Sequence, residues 1–241
     1  MMFFYYIYFC IIAVPLIVVA TILAATSTIV GCALGGGRWW GYYPAHYWAR
    51  VFCWLAWVRV TVRGRRHISE GKSYVFVANH QSAYDIFSIY GYLGHQFRWM
   101  MKKSLERIPF VGYSCRVAGH IYVDNSSPAA VRHTMQTAER QLSGGMSVVV
   151  FPEGSRTKDG HIHAFRRGAY MLAVEFSLPV VPVTVDGAYD VMPPQARLPR
   201  PGHIILTIHK PIEAGDQGHD VRQLIDESRQ AIISDLPERN R

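Results

Sequence analysis

The stretch Val75-Phe76-Val77-Ala78-Asn79-His80-Gln81-Ser82-Ala83-Tyr84-Asp85 decides how the rest of the chain is read. Its first four residues form a short apolar, β-prone run, the pattern of a buried strand. The polar turn that follows holds a histidine, and an aspartate comes five residues later. On one continuous helix, residues five apart point about 140° away from each other, so His80 and Asp85 would not meet. They meet if His80 sits in the loop after the strand and Asp85 lies in the first turn of the next helix, its carboxylate folded back. That pairing has a chemical use. An alcohol is a poor nucleophile until a base takes its proton. A neutral imidazole does so when its other nitrogen donates to an orienting carboxylate. The nucleophile is then the substrate's own hydroxyl, and no protein Ser or Cys is needed. The residues also have a structural reading. Ser82 and Asp85 carry the S-x-x-D spacing of a capping box, in which Asp85 serves backbone donors and His80 is an ordinary loop residue. Taken alone, H-x-x-x-x-D leaves both readings open.

Outward from this turn the pattern alternates. Short β-rich runs occur at residues 74–78, 121–123, 147–151, 180–185 and 203–209, with helical stretches near 85–93, 128–142, 167–176 and 221–236. Alternation of this kind predicts an α/β domain: a mixed, mostly parallel sheet flanked by helices. The Pro-rich stretch 192–201 reads as a loop and not as a boundary. Residues 63–241 are therefore expected to form one catalytic domain.

Residues 1–62 are of another kind. Residues 1–37 contain no Asp, Glu, Lys or Arg, and residues 3–35 run FFYYIYFCIIAVPLIVVATILAATSTIVGCALG. A bilayer-spanning helix needs about 20 apolar residues. This run exceeds that, which allows it to tilt, to kink at Pro15 or to fold back as a shallow hairpin. Without a basic n-region it does not read as a secretory signal. Gly35-Gly36-Gly37 reads as its end. Arg38, Arg50, Arg59, Arg63, Arg65 and Arg66 follow it and no basic residue precedes it, which places the remainder on the cytoplasmic side of a membrane. Residues 39–62, with six Trp and Tyr among the first ten, read as an interfacial aromatic helix at headgroup level. Residues 1–62 are thus expected to be a membrane anchor.

Across the chain 25 basic residues oppose 17 acidic ones, a formal +8. That balance suits an anionic partner such as phosphate or anionic lipid. The basic residues are dispersed and no nucleic-acid motif is present, so nucleic acid is not the expected partner. The four cysteines form no C-x-x-C pair, so neither a disulfide framework nor a zinc or other metal site is expected.

A second motif, Val148-Val149-Val150-Phe151-Pro152-Glu153-Gly154-Ser155-Arg156, ends a strand in a charged turn. With the N-H-Q-S-A-Y-D turn upstream, it resembles the glycerolipid acyltransferase family, and within it the 1-acylglycerol-3-phosphate O-acyltransferases. The N-H-x-S-x-x-D block is carried by Asn79, His80, Ser82 and Asp85, and F-P-E-G-[ST]-R by Phe151 through Arg156. Between them, Met101 through Gly112 resembles the family's K-x-x-L-x-x-x-P-x-x-G segment, and Val181-Pro182-Val183 its final block. The resemblance implies a glycerol-3-phosphate acyltransferase-like fold. It implies transfer of a fatty acyl group from acyl-CoA or acyl-carrier protein to the sn-2 hydroxyl of lysophosphatidic acid, giving phosphatidic acid, with no bound cofactor. It makes His80 the general base and Asp85 its partner. Lys102 and Arg156 hold the acceptor's phosphate, Glu153 contacts its glycerol part or braces the site, and Gly154 permits the turn. Arg offers a planar fork matched to phosphate oxygens, which fits that role on chemical grounds. One departure stands out: Asn125 lies where the family often carries an Arg, which leaves room for another lysolipid acceptor, such as a lyso-aminolipid. Two further readings use the same residues differently. A membrane thioester hydrolase would direct His80 and Asp85 at water; a non-enzymatic anionic-lipid binding module would use the basic surface alone.

Overall fold

In the computed structural model, residues 2–124, 126–143, 145–215 and 219–240 are described. Seven strands form one sheet in the order β1-β7-β6-β2-β5-β3-β4. They are β1 (Val58–Arg63), β2 (Val75–Ala78), β3 (Phe97–Lys102), β4 (Ile121–Val123), β5 (Ser147–Val150), β6 (Val180–Asp186) and β7 (Gly202–Ile208). β2 pairs in parallel with both β5 and β6, and β5 with β3, which pairs with β4. Among these seven strands the β6–β7 pairing is antiparallel and the rest are parallel, so β1 and β7 run against the other five. The sheet is mixed and mostly parallel, and helices flank it.

The apolar run at residues 75–78 is continuous because both faces of its strand are covered. Phe76 and Ala78 face one core, shared with Val149, Val181, Val183, Ile204 and Leu206. Val75 and Val77 face the other, with Val148, Val180, Leu172 and Leu224. The first core is closed by α2 (Tyr43–Leu55) and α3 (Tyr84–Tyr92). The second is closed by α5 (Pro128–Ser143), α6 (Gly168–Glu175) and α7 (Val221–Ser234). A short helix, α4 (Val111–Val117), connects β3 to β4.

The N-terminal segment forms one continuous helix, α1 (Met2–Ala33), not a hairpin. It is long and apolar enough to cross a membrane, with a mean hydropathy of 2.8 in its most apolar window, of which 11% is buried in the protein. At 1.5 Å per residue it reaches about 48 Å, more than the roughly 30 Å of a hydrocarbon core. Pro15 does not break it: a π-helical segment at Phe9–Ala13 precedes the proline. The helix also packs on the domain. Tyr5, Phe9 and Ala13 join the first core, the Tyr5 hydroxyl donates to the Ala56 carbonyl (3.1 Å), and Trp48 Nε1 donates to Thr21 Oγ1 (2.9 Å).

Two expectations are corrected here. The boundary at residue 62 falls inside β1, whose Val58–Arg63 pairs in register with Gly202–Thr207 of β7. The sheet therefore begins within the aromatic stretch. That stretch is also not a single interfacial helix. α2 buries Ala49 and Cys53 in the first core while Tyr47 and Trp54 remain exposed. β1 and β3 escaped the sequence pattern because charged side chains interrupt them. In β3 the interruption is Arg98, which is buried.

Candidate active site

Strands β2, β5 and β3 end side by side. Val77 pairs with Val150, and Val149 with Trp99, so the residues just beyond them share the C-terminal edge of the parallel strands. His80 leaves β2, Glu153 leaves β5 and Lys102 ends β3 at that edge. Open α/β sheets place ligands there, outside the carboxyl ends of their strands.

The turn from β2 into α3 folds as the pairing argument requires. His80 Nδ1 donates to Asp85 Oδ2 at 2.9 Å. The same oxygen accepts the backbone N–H groups of Gln81 and Ser82, both at 2.7 Å. Asp85 is fully buried, whereas the His80 side chain keeps 13% of its surface exposed. The two readings of this turn thus coexist. Asp85 serves backbone donors as in a capping box, and it also orients the imidazole. Because Oδ2 is an acceptor to three donors, Nδ1 carries a hydrogen and Nε2 is the basic nitrogen. Nε2 has no partner among the described residues. The ring lies on Phe151, with centroids 3.9 Å apart and planes 8° from parallel, and Phe151 in turn stacks on Trp99 at 5.3 Å.

Glu153 is 6% exposed and acts on the backbone. Its Oε1 accepts the His80 N–H (2.7 Å) and its Oε2 the His163 N–H (3.0 Å). The His80 carbonyl accepts from the Thr157 N–H at 3.0 Å. The charged turn after β5 therefore grips the His80 peptide from both sides, and Glu153 sits as a brace. Burial, with a smaller contribution from nearby Asp85, pushes its carboxyl up to about 7, against the two N–H groups that favour the anion. Gly154 has φ +77°, a left-handed conformation that favours glycine, and a Cβ there would come within 2.9 Å of the Arg166 guanidinium.

Lys102 and Arg156 are exposed, and neither has an ion-pair partner among the described residues. The neighbouring Lys103 is committed to Asp124 at 2.7 Å, which leaves Lys102 as the available amine of the pair. Asn125, where the family often has an arginine, lies outside the described residues. Arg166 and Arg167 are exposed beside the same turn, and Pro182 is buried within β6 against β2.

Three other groups build the site; sequence reasoning gave Ser82 only its place in the capping-box spacing and left the contacts of Asn79 and Gln81 open. Asn79 is fully buried and zips the turn to β6, accepting from Val185 N (2.8 Å) and donating to Val185 O (2.9 Å). Gln81 donates to the Gly160 carbonyl. The Ser82 hydroxyl donates to Met192 O (2.8 Å) and accepts from Tyr84 N (3.1 Å). Asn and Gln inside a short turn, where no solvent-facing loop needs them, were the available signal.

Residues 59–186 match the family model described as Acyltransferase. A 1-acyl-sn-glycerol-3-phosphate acyltransferase of Chlamydomonas reinhardtii is 34% identical over 182 residues, 74% of this chain and 53% of that protein. The mouse 1-acyl-sn-glycerol-3-phosphate acyltransferase alpha is 30% identical over 180 residues, 73% of this chain and 63% of that one. A chloroplastic 1-acyl-sn-glycerol-3-phosphate acyltransferase of Brassica napus is 31% identical over 163 residues, 67% of this chain and 46% of that protein. The chain spans about half the length of the curated relatives it matches. Among solved structures, the 1-acyl-sn-glycerophosphate acyltransferase PlsC of Thermotoga maritima superimposes with a TM-score of 0.64 over 90% of this chain and 95% of that one. At 24% identity that likeness establishes the fold.

Proposed function

The chain belongs to the acyltransferase family, and from that premise we propose that it transfers a fatty acyl group from a thioester donor to the free hydroxyl of lysophosphatidic acid. The observation that carries the reading is the imidazole of His80, held through Nδ1 by a buried carboxylate and presenting an unpartnered Nε2 at the strand edge.

In the proposed reaction the acceptor's phosphate docks on Lys102 and Arg156, and its sn-2 hydroxyl lies beside His80. Nε2 takes the hydroxyl proton as the oxygen attacks the thioester carbonyl of acyl-CoA or acyl-carrier protein. The imidazolium formed is stabilised by Asp85. When the tetrahedral species collapses, the C–S bond breaks and the sulfur leaves with the proton from Nε2. Base assistance of this kind contributes about 10²–10⁴-fold. Glu153 contributes by fixing the His80 peptide, so that the ring meets the acceptor at one angle.

The membrane setting is part of the proposal. Both acceptor and product reside in a bilayer, and α1 offers an apolar surface to one. The segment after β3 adds to it: Leu105, Ile108, Phe110 and Tyr113 are exposed at 41%, 43%, 69% and 54%. Phe110 holds its ring outward although its backbone takes φ +59°, a costly conformation for a bulky residue. We place the catalytic portion on the cytoplasmic side, from the arginines that follow α1.

The test is a transfer assay on the purified full chain with a panel of lysolipids and both donor types, run alongside His80→Ala. Product from lysophosphatidic acid, abolished by the substitution while fold and membrane binding persist, is the expected result. Turnover retained by His80→Ala would remove the base assignment. Fatty acid released without any acceptor would point to hydrolysis, and transfer to a different lysolipid would replace the acceptor.

A further inference from the structure

At the opposite edge of the sheet from His80, a cleft of about 290 Å³ is lined by three arginines, Arg38, Arg98 and Arg140, together with Gln141 and Met146. No carboxylate lines it among the described residues. Arg98 stands near the start of β3, Gly119 just before β4 and Met146 just before β5, which fixes the cleft at the N-terminal ends of the parallel strands.

Arg98 is the unusual member. It is 3% exposed, and its Nη1 and Nη2 donate to the Gly41 (3.0 Å) and Gly37 (3.1 Å) carbonyls. Its Nε is buried with no partner among the described residues. A buried guanidinium normally pairs with an anion, because neutral carbonyls repay only part of the desolvation cost. Here it has none among the described residues, and Arg38 adds like charge. Burial in turn pushes the guanidinium below its ordinary range. The surroundings are shaped to keep it there. A Cβ on Gly41 would lie 2.9 Å from the Ala118 carbonyl oxygen and 3.0 Å from Arg98 Nη2. The adjoining turn is pinned to α1, since Trp40 fills the space over Gly31 and Gly36 where a Cβ would stand within 2.1 Å and 2.5 Å of its ring. Arg140 on α5 is exposed and has no ion-pair partner among the described residues.

We propose that this cleft binds a phosphate-type oxyanion on Arg38, Arg98 and Arg140, apart from the catalytic edge. Two sources share that chemistry: the headgroup of an anionic lipid and free inorganic phosphate. The lipid source fits the position, because the cleft opens at the C-terminal end of the apolar helix, beside Trp39 and Trp40, which are 48% and 37% exposed. Aromatic side chains and arginines at the end of such a helix mark headgroup depth. The inference is independent of the reaction proposed above.

The experiment compares the full chain with Arg38→Gln/Arg140→Gln and with a charge-matched control, Arg132→Gln/Arg222→Gln, whose arginines are exposed on α5 and α7. Arg98 is left in place because its bonds to Gly37 and Gly41 hold the fold. One measurement is partition onto phosphatidylcholine vesicles with and without one-fifth phosphatidylglycerol; the ratio of the two cancels the contribution of α1. The other is thermal protection of the detergent-solubilised protein by inorganic phosphate against chloride at equal ionic strength. A fall in the vesicle ratio of about thirtyfold in the cleft variant, against a few-fold in the control, establishes the site with lipid as the source. Loss of phosphate protection alone, with an unchanged vesicle ratio, establishes it with free phosphate. Cleft and control variants that behave alike in both measurements overturn it.

Discussion

Replacing Asp85 by Asn separates the charge of the carboxylate from its geometry. Oδ2 accepts from His80 Nδ1, Gln81 N and Ser82 N, so in the variant only the amide oxygen can occupy that position. The amide nitrogen must take the place of Oδ1, which is already buried without a partner among the described residues. One unpaired polar group replaces another, and the stability change should stay within about 1–3 kcal/mol. The imidazole keeps its tautomer, because the atom facing Nδ1 is still an acceptor. What disappears is the negative charge beside the imidazolium formed during transfer. A hydrogen bond to a charged group contributes about 1–2 kcal/mol more than a neutral one. Two unit charges about 4 Å apart at an effective dielectric of about 20 interact by about 4 kcal/mol, which caps the effect. Asp85→Asn should therefore lower kcat by about 10–10³-fold with KM nearly unchanged. The assay is single-turnover acyl transfer on protein whose melting curve matches the parent's. Activity within threefold of the parent would refute the reasoning, since the carboxylate charge would then be idle. Activity as low as that of His80→Ala would refute it in the other direction, by showing that orientation, and not only charge, had been lost.

Other outcomes follow from the same geometry. Arg156→Gln and Lys102→Gln should each lower kcat/KM for lysophosphatidic acid by about 10–10²-fold, at about 1.5–3 kcal/mol per charged hydrogen bond, and leave transfer to monoacylglycerol nearly unchanged; equal losses on both acceptors would dismiss the phosphate role. Glu153 has a carboxyl raised from 4.5 to about 7, so the stability linked to it is fully present below about pH 4.5 and lost as pH rises through about 7. Parent and Glu153→Gln melting profiles should converge by up to about 3 kcal/mol between pH 4.5 and 7.5, the variant being the less stable at low pH because one amide oxygen cannot serve both N–H groups; parallel profiles would place the titration elsewhere. Phe110→Asp should raise the apparent KM for vesicle-borne lysolipid at least tenfold while sparing a monomeric short-chain acceptor, and equal effects on the two would remove the loop from the bilayer.

The strand–turn–helix around His80 was legible because its logic is local: an apolar run, a polar turn and a carboxylate within one helical turn of it. The outer strands were not. β3 hides behind Arg98, a charge in a buried strand that makes sense only once the carbonyls of Gly37 and Gly41 come to meet it. β1 hides in an aromatic stretch whose apolar character fits a membrane surface as well as a sheet. The packing of α1 was equally hidden, because a helix apolar on every side gives no sign of which side Tyr5, Phe9 and Ala13 will bury. The brace role of Glu153 was undetermined for a different reason. Its partners are the N–H groups of residues 80 and 163, and every residue but proline supplies that donor, so no pattern of side chains points to them.

The two carboxylates at this edge illustrate how one site holds unlike charges apart. Asp85 has three donors on a single oxygen, and the charge those donors favour lies next to the imidazole, where a developing cation needs it. Glu153 is bonded as well, but burial outweighs its two N–H groups and the charge on Asp85 works against a second anion, so its carboxyl titrates near 7. At lower pH Glu153 is therefore uncharged, while Lys102 and Arg156 face outward with no ion-pair partner among the described residues. A phosphate-bearing acceptor approaching Lys102 and Arg156 then meets no charge on Glu153. As pH rises past 7, Glu153 ionises and part of that advantage is lost, so the apparent KM for lysophosphatidic acid should climb with pH in the parent. In Glu153→Gln it should not, and a climb of equal size in both proteins would assign the effect to the titration of another group.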